Sequence, residues 1–226
     1  MITKTELSLG DVQETALIPL AVKASETKRK NPRITDNKAV EIVEQLGIDT
    51  SKYDKFMSHE GVVARTMLFD GLARGFIEKH PDAVCLNIGC GLDNRFERVD
   101  NGRILWYDID LPDSIEVRRK AFEDSERRKM IAGNALENDW TTLIEKRKHT
   151  LVIMEGLLMY FSKEQVGAAL NVIRDNFGDS VILCELMHPI VAGNSGMHDT
   201  VKNTNAKFGW GTKTGEEALS EIKTGS

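Results

Sequence analysis

The sequence predicts an α/β fold, a parallel sheet with helices on both faces and a helical segment ahead of it. Apolar runs of strand length recur at 84–88, 103–108, 129–132, 150–154 and 180–186. Stretches with apolar residues at helical spacing fall between them, near 112–127, 136–146 and 163–177. A turn bearing Gly89 and Gly91 follows the first run directly, where a strand must hand over to a helix.

The chain enters through helical patterns at 11–24 and 36–47, the second with Asp36 placed to cap its start and Gly47 to stop it. Between them, Ser25 to Thr35 is polar and basic, in the place where a lid would lie. A third helix is expected from about Gly61 to His80, closed by Pro81. Val84-Cys85-Leu86-Asn87-Ile88 is short and mostly apolar, as a strand buried on both faces should be. Residues 212–226 are polar, with weak helical signal and no strand pair, so the C-terminal sheet edge reads as shortened. An uncovered edge is a liability, and a homodimer that covers it is one expectation.

At 226 residues and 25.3 kDa, with 41% hydrophobic and 29% charged residues, the chain is expected to form one soluble domain over 1–226. Residues 1–60 would be its helical lid segment and 61–226 its core. A formal net charge of −5 gives no general attraction to nucleic acid or anionic membrane. The basic clusters Lys28-Arg29-Lys30 and Arg127-Arg128-Lys129 read as solvated surface. Cys85, Cys90 and Cys184 lack metal-ligand spacing and read as reduced core residues, which suits a cytoplasmic protein without a metal. Met1 to Gly10 is too polar for a signal peptide, and no apolar run approaches the roughly 20 residues that span a bilayer.

The stretch 84–110 carries the chemistry. Asp110 lies 21 residues beyond Gly89, the distance at which doubly wound folds place the acid that holds a ribose hydroxyl. A dinucleotide fingerprint needs glycine or alanine where this chain has Asn94, which argues against a pyrophosphate beside the following helix. A phosphate-free nucleoside ligand fits better, and S-adenosylmethionine is the commonest one on this scaffold. The glycine pair alone is weak, since an ordinary strand-to-helix turn has the same look.

Asn87-Ile88-Gly89-Cys90-Gly91-Leu92-Asp93-Asn94-Arg95, Tyr107-Asp108-Ile109-Asp110-Leu111-Pro112 and Glu155-Gly156-Leu157-Leu158-Met159-Tyr160 occur in this order. Together they resemble the leucine carboxyl methyltransferase family, within it the bacterial branch that includes tetracenomycin-type polyketide O-methyltransferases. The resemblance runs from about residue 15 to about residue 212, with Asn94 where the branch usually has threonine. It implies a Rossmann-like, S-adenosylmethionine-dependent methyltransferase sheet under an N-terminal helical lid. It also implies that Lys23 and Arg65 pair with the cofactor carboxylate, that Gly89 and Gly91 face the cofactor backbone-first, and that Asp110 holds the ribose. Asp108 lies on the same strand face, two residues earlier. Asn134 replaces an acid that the family commonly sets against the adenine, and Glu155 is implied near the sulfonium or amino group. A partner for a local arginine is the structural alternative for Glu155.

Tyr160 and His188 are the candidate catalytic residues, Tyr160 for the acceptor pocket and His188 as a base; packing and loop roles stand beside these. An ionised carboxylate acceptor needs no base, whereas a hydroxyl does, and no forced pairing supplies one. The leading expectation is O-methylation of a small molecule such as a polyketide-like acid. The alternatives are a catalytically silent cofactor-binding protein and a protein carboxyl or tRNA-modifying methyltransferase.

Overall fold

The computed structural model describes residues 15–192 and 208–223. Its centre is a wholly parallel sheet in the order β3-β2-β1-β4-β5, with β1 Val84–Ile88, β2 Leu105–Asp110, β3 Arg128–Ala132, β4 Thr150–Met154 and β5 Val181–Cys184. The described helices are α1 Leu17–Thr27, α2 Asn37–Leu46, α3 Phe56–Lys79, α4 Arg95–Val99, α5 Pro112–Arg119, α6 Lys163–Phe177, α7 Pro189–Ala192 and α8 Gly215–Lys223. The chain runs outward from β1 to β3 and then crosses back to β4, so strand order reverses between β1 and β4. Ligand sites of such sheets lie at that reversal, beyond the carboxyl ends of the strands.

Strand alternation sorts the core into two layers. Leu86, Ile88, Tyr107, Ile109, Val152 and Met154 point to one face, against Val166, Leu170 and Ile173 of α6. Cys85, Trp106, Leu151 and Ile153 point to the other, against Phe69, Ala73 and Ile77 of α3. A further apolar cluster joins Leu20 and Ala24 of α1 and Ile42 and Val43 of α2 to Cys90, Leu92 and Ile115, so the N-terminal helices pack over the glycine turn.

Caps account for the helix ends that the sequence marks clearly. Asp36 accepts the Ala39 N–H at 3.0 Å at the start of α2, and Gly47 ends it at φ 58°, a left-handed value that glycine takes without strain. Ser162 and Gln165 form a reciprocal capping box on α6.

Three expectations change. The helix expected at 136–146 is only a 3-10 turn over Asp139–Leu143. Its apolar spacing comes from Trp140, whose indole N–H donates to the Asn134 carbonyl at 3.0 Å and whose ring packs on Gly133. The helix expected at 112–127 stops at Arg119, because Asp124 and Ser125 turn the chain by accepting the Met130 and Arg128 N–H groups. α3 begins at Phe56 rather than near Gly61, since its first turn exposes Phe56 and Met57 and so carries no core periodicity. Residues 11–14 of the helix expected at 11–24 lie outside those described, and the observed α1 spans Leu17–Thr27. The C-terminal weak helical signal corresponds to α8. No helix among the described residues is long and apolar enough to cross a membrane.

Candidate active site

Pairing of Ile88 with Ile109 and of Met154 with Cys184 brings the strand ends level, so that Gly89, Asp110, Glu155 and Glu185 leave the sheet at one height. Above them lies a cavity of about 370 Å³, roofed by residues of α1 and by the start of α3. It contains eight of the nine residues expected to act there or bind there, namely Lys23, Arg65, Gly89, Gly91, Asp110, Asn134, Glu155 and Tyr160. His188 is not among its lining residues. The His188 ring is exposed and its Nδ1 faces the Ile190 N–H at 3.4 Å, at the start of α7.

The β1–β2 end is built mostly from backbone. Gly89 has φ +69°, a left-handed value that favours glycine, and a Cβ there would meet the Leu157 side chain at 3.0 Å, so the turn packs closely under Leu157 at the cavity edge. Asp110 accepts the Gly91 and Leu111 N–H groups, each at 2.8 Å, which closes the glycine turn onto the tip of β2. Burial raises its carboxyl above the ordinary 3.8, and hydrogen bonds from Gly91, Leu111 and Ser114 offset that only in part. A carboxylate has about four acceptor positions, so capacity for further donors remains.

Asp108, on the same strand face, does different work. It accepts from Asn87 and Trp106 at 2.9 Å each, from Arg118 at 2.8 Å and from Arg128 at 2.9 Å, fully buried. Burial alone would raise its carboxyl, yet the charges of Arg118 and Arg128 hold it below the usual value. Arg118 in turn donates to the Gly91 and Asp93 carbonyls at 2.7 Å each, so Asp108 shapes the turn from below. Asn94 accepts from Arg128 at 3.2 Å and belongs to the same buried set.

The β4–β5 end is built from charged side chains. Glu155 receives Arg95, and Arg65 Nε lies 2.7 Å from its Oε1 at an angle that forms no hydrogen bond. Burial opposes its ionisation, but Arg95, Arg65 and Lys23 prevail and lower its pKa to about 2. Arg65 also donates from Nη1 to both oxygens of Glu185, at 3.1 and 2.9 Å. Lys23 is buried against Asp93, which also takes Arg98 at 3.1 Å. The basic residues expected to meet a cofactor carboxylate are thus paired with protein acids, and Glu155 is a partner for local arginines. Asn134 has one amide N–H on Glu137 and its carbonyl oxygen on the Leu136 N–H, both within a local turn. Tyr160 packs its ring on Phe208 with centroids 5.7 Å apart. Burial pushes its hydroxyl pKa up although Thr15 hydrogen-bonds to it, which keeps it protonated.

Arg95, Arg118 and Glu185 are site residues beyond those expected from the sequence. Arg118 stands three residues after Ile115 and four before Phe122, a charge on an apolar helix face, and that is the signal that marks it. Glu185 repeats the pattern of Glu155, an acid directly after an apolar strand. Arg95 has no comparable mark.

Three cations, Lys23, Arg65 and Arg95, and four carboxylates, Asp93, Asp110, Glu155 and Glu185, line the cavity. The surplus negative charge, the glycine turn and the spare acceptor positions of Asp110 suit a cationic nucleoside such as S-adenosylmethionine.

Comparison with known proteins agrees. Residues 16–174 match the leucine carboxyl methyltransferase family. The chain is 28% identical over 207 residues to the tetracenomycin polyketide synthesis O-methyltransferase TcmP of Streptomyces glaucescens, covering 91% of this chain and 77% of that one. It is 27% identical over 205 residues to the S-adenosyl-L-methionine-dependent methyltransferase dpfgK of Gibberella zeae, covering 81% of this chain and 67% of that one. Among solved structures, a Thermobifida fusca YX protein described as a methyltransferase superposes with a TM-score of 0.58 at 15% identity, over 92% of this chain and 78% of that one, a likeness of fold. The chain belongs to the leucine carboxyl methyltransferase family, whose members are S-adenosylmethionine-dependent methyltransferases.

Proposed function

We propose that the protein transfers a methyl group from S-adenosylmethionine to an oxygen of a small-molecule acceptor, with a carboxylate favoured over a hydroxyl. The observation that carries the choice of acceptor is the state of the two candidate catalytic side chains. His188 lies outside the cavity lining, and Tyr160 is held protonated, so neither is available to take a proton from a hydroxyl.

The cofactor when bound supplies an activated sulfonium methyl. Asp110 accepts the ribose hydroxyls, and Gly89 and Gly91 let the nucleoside lie against the main chain. Lys23 and Arg65 meet the carboxylate of the methionine moiety, Arg65 through Nη2, the guanidinium nitrogen that Glu155 and Glu185 leave open. Glu155 holds the amino group, and Asn134 offers its remaining amide capacity to the adenine edge. Ile18, Leu157, Met159 and Phe208 wall the cavity and exclude water, while Tyr160 donates a hydrogen bond that orients the acceptor. Alignment of the acceptor oxygen then supplies much of the rate, because the methyl is already activated. Among the described residues, the helical segment from 15 to 60 serves as the lid of the domain.

The test offers matched aromatic acids and alcohols with S-adenosylmethionine and measures release of S-adenosylhomocysteine. The acid is expected to turn over, and turnover of the alcohol alone overturns the carboxylate preference. Homodimerisation across β5, where Val181 is 44% exposed, belongs to the same reading and predicts a dimer in light scattering. Free thiols at all three cysteines suit a reducing, cytoplasmic setting.

A further inference from the structure

We infer that Glu185 is a positioning residue, which sets the Arg65 guanidinium for its ligand at the β4–β5 end of the cavity; this rests on the cofactor reading above. Glu185 is itself held from two sides. Its backbone N–H donates to the Met154 carbonyl at 3.1 Å, continuing the β4–β5 ladder past Cys184. Its Oε2 accepts the Gly156 N–H at 2.9 Å, which ties the side chain to the turn after Glu155. The carboxylate so fixed takes Arg65 Nη1 on both oxygens, across 120 residues of sequence.

The consequence for Arg65 is directional. Nη1 donates to both oxygens of Glu185 and Nε lies 2.7 Å from Glu155 Oε1 as an ion pair without a hydrogen bond, while Nη2 makes no hydrogen bond with a protein acceptor among the described residues. A planar fork with one nitrogen hydrogen-bonded to both oxygens of Glu185 and a second paired by charge with Glu155 has one orientation, and the third nitrogen is left for the ligand. Glu155 alone cannot impose this, because its contact with Arg65 Nε is close but misaligned and its other oxygen is taken by Arg95. A flexible arginine would lose rotamer freedom on binding, and Glu185 removes that cost beforehand.

Glutamine does not replace it. In one orientation its amide N–H₂ faces Arg65 Nη1, donor against donor, and in the other it faces the Gly156 N–H as well. The experiment is a double-mutant cycle on S-adenosylmethionine affinity, by calorimetry, with wild type, Glu185→Ala, Arg65→Ala and the pair. Glu185→Ala is expected to weaken binding about tenfold in the wild-type background and by less than about twofold when Arg65 is already alanine. An unchanged Kd in Glu185→Ala, or the full loss persisting without Arg65, overturns the positioning role. If Arg65→Ala leaves a binding-competent wild-type affinity intact, the carboxylate role of Arg65 fails and this inference with it. A wild type that binds no S-adenosylmethionine overturns the cofactor reading itself. Should the alanine variant not fold, Glu185→Gln in the same cycle carries the test, with the same pattern expected.

Discussion

The two ends of the cavity solve opposite problems with different materials. At the β1–β2 end, a glycine turn, a strand tip and Asp110 lie within about two dozen residues of sequence, and the cavity wall they form is backbone closed by the Asp110 carboxylate. At the β4–β5 end, Arg65, Glu155 and Glu185 come from three distant segments and satisfy one another's charge. The first is shaped by conformation, the second by electrostatics. Conformation is cheap to specify locally, because a positive φ needs only a glycine. Paired charges need a fold that brings them together, since each alone in that place would be costly to bury.

Asp108 and Asp110 sharpen the contrast on a single strand. Both point the same way, yet one is locked by two arginines and the other faces the cavity. Asp108→Ala strands Arg118 and Arg128 in the interior, and chemical denaturation should show a loss of about 3 to 5 kcal/mol. If that variant were as stable as wild type, the buried pair would not be shaping the turn.

Acid should separate the ends next. The Glu155 pKa is lowered from 4.5 to about 2. A depressed folded pKa contributes stability that is present above 4.5 and lost as pH falls toward 2. Glu155→Gln should therefore lower stability at neutral pH by roughly 2 to 4 kcal/mol and flatten the acid-side slope of the unfolding free energy. A slope identical to wild type through that range would break the account of the β4–β5 end. The smallest expected effect is at Tyr160. Tyr160→Phe should leave cofactor affinity unchanged and raise the acceptor KM, by a change within about 1 kcal/mol. A loss of cofactor affinity instead would move Tyr160 out of the acceptor pocket.

Legibility in the sequence follows the same division. The strands, their alternation with helices and the glycine turn could be read because they rest on local periodicity and local backbone need. Asp110 was placed by its distance from Gly89, and Asp36 and Gly47 by cap chemistry. The 3-10 turn around Trp140 reads as a helix in sequence, since one buried indole hydrogen-bonded to the Asn134 carbonyl produces the same spacing as a helix face. Arg118 carries a readable mark, a charge on an apolar helix face, whereas Arg95 carries none, because a buried cation without such a pattern is recognisable only once its acids are known to surround it. Glu185 carried a readable mark, an acid after a strand, but its partner lies 120 residues away.

The cofactor end decides the central claim. In the proposed role Asp110 accepts more strongly from ribose hydroxyls when ionised, and burial raises its carboxyl above the ordinary value, so affinity for S-adenosylmethionine should weaken as acid pH protonates it. The direct measurement is a calorimetric titration of S-adenosylmethionine into wild type and Asp110→Ala at neutral pH. The account predicts one site per chain in the wild type and a loss of about 1.5 to 3 kcal/mol, ten- to more than a hundredfold, in the variant. Equal affinity in the two proteins would contradict it.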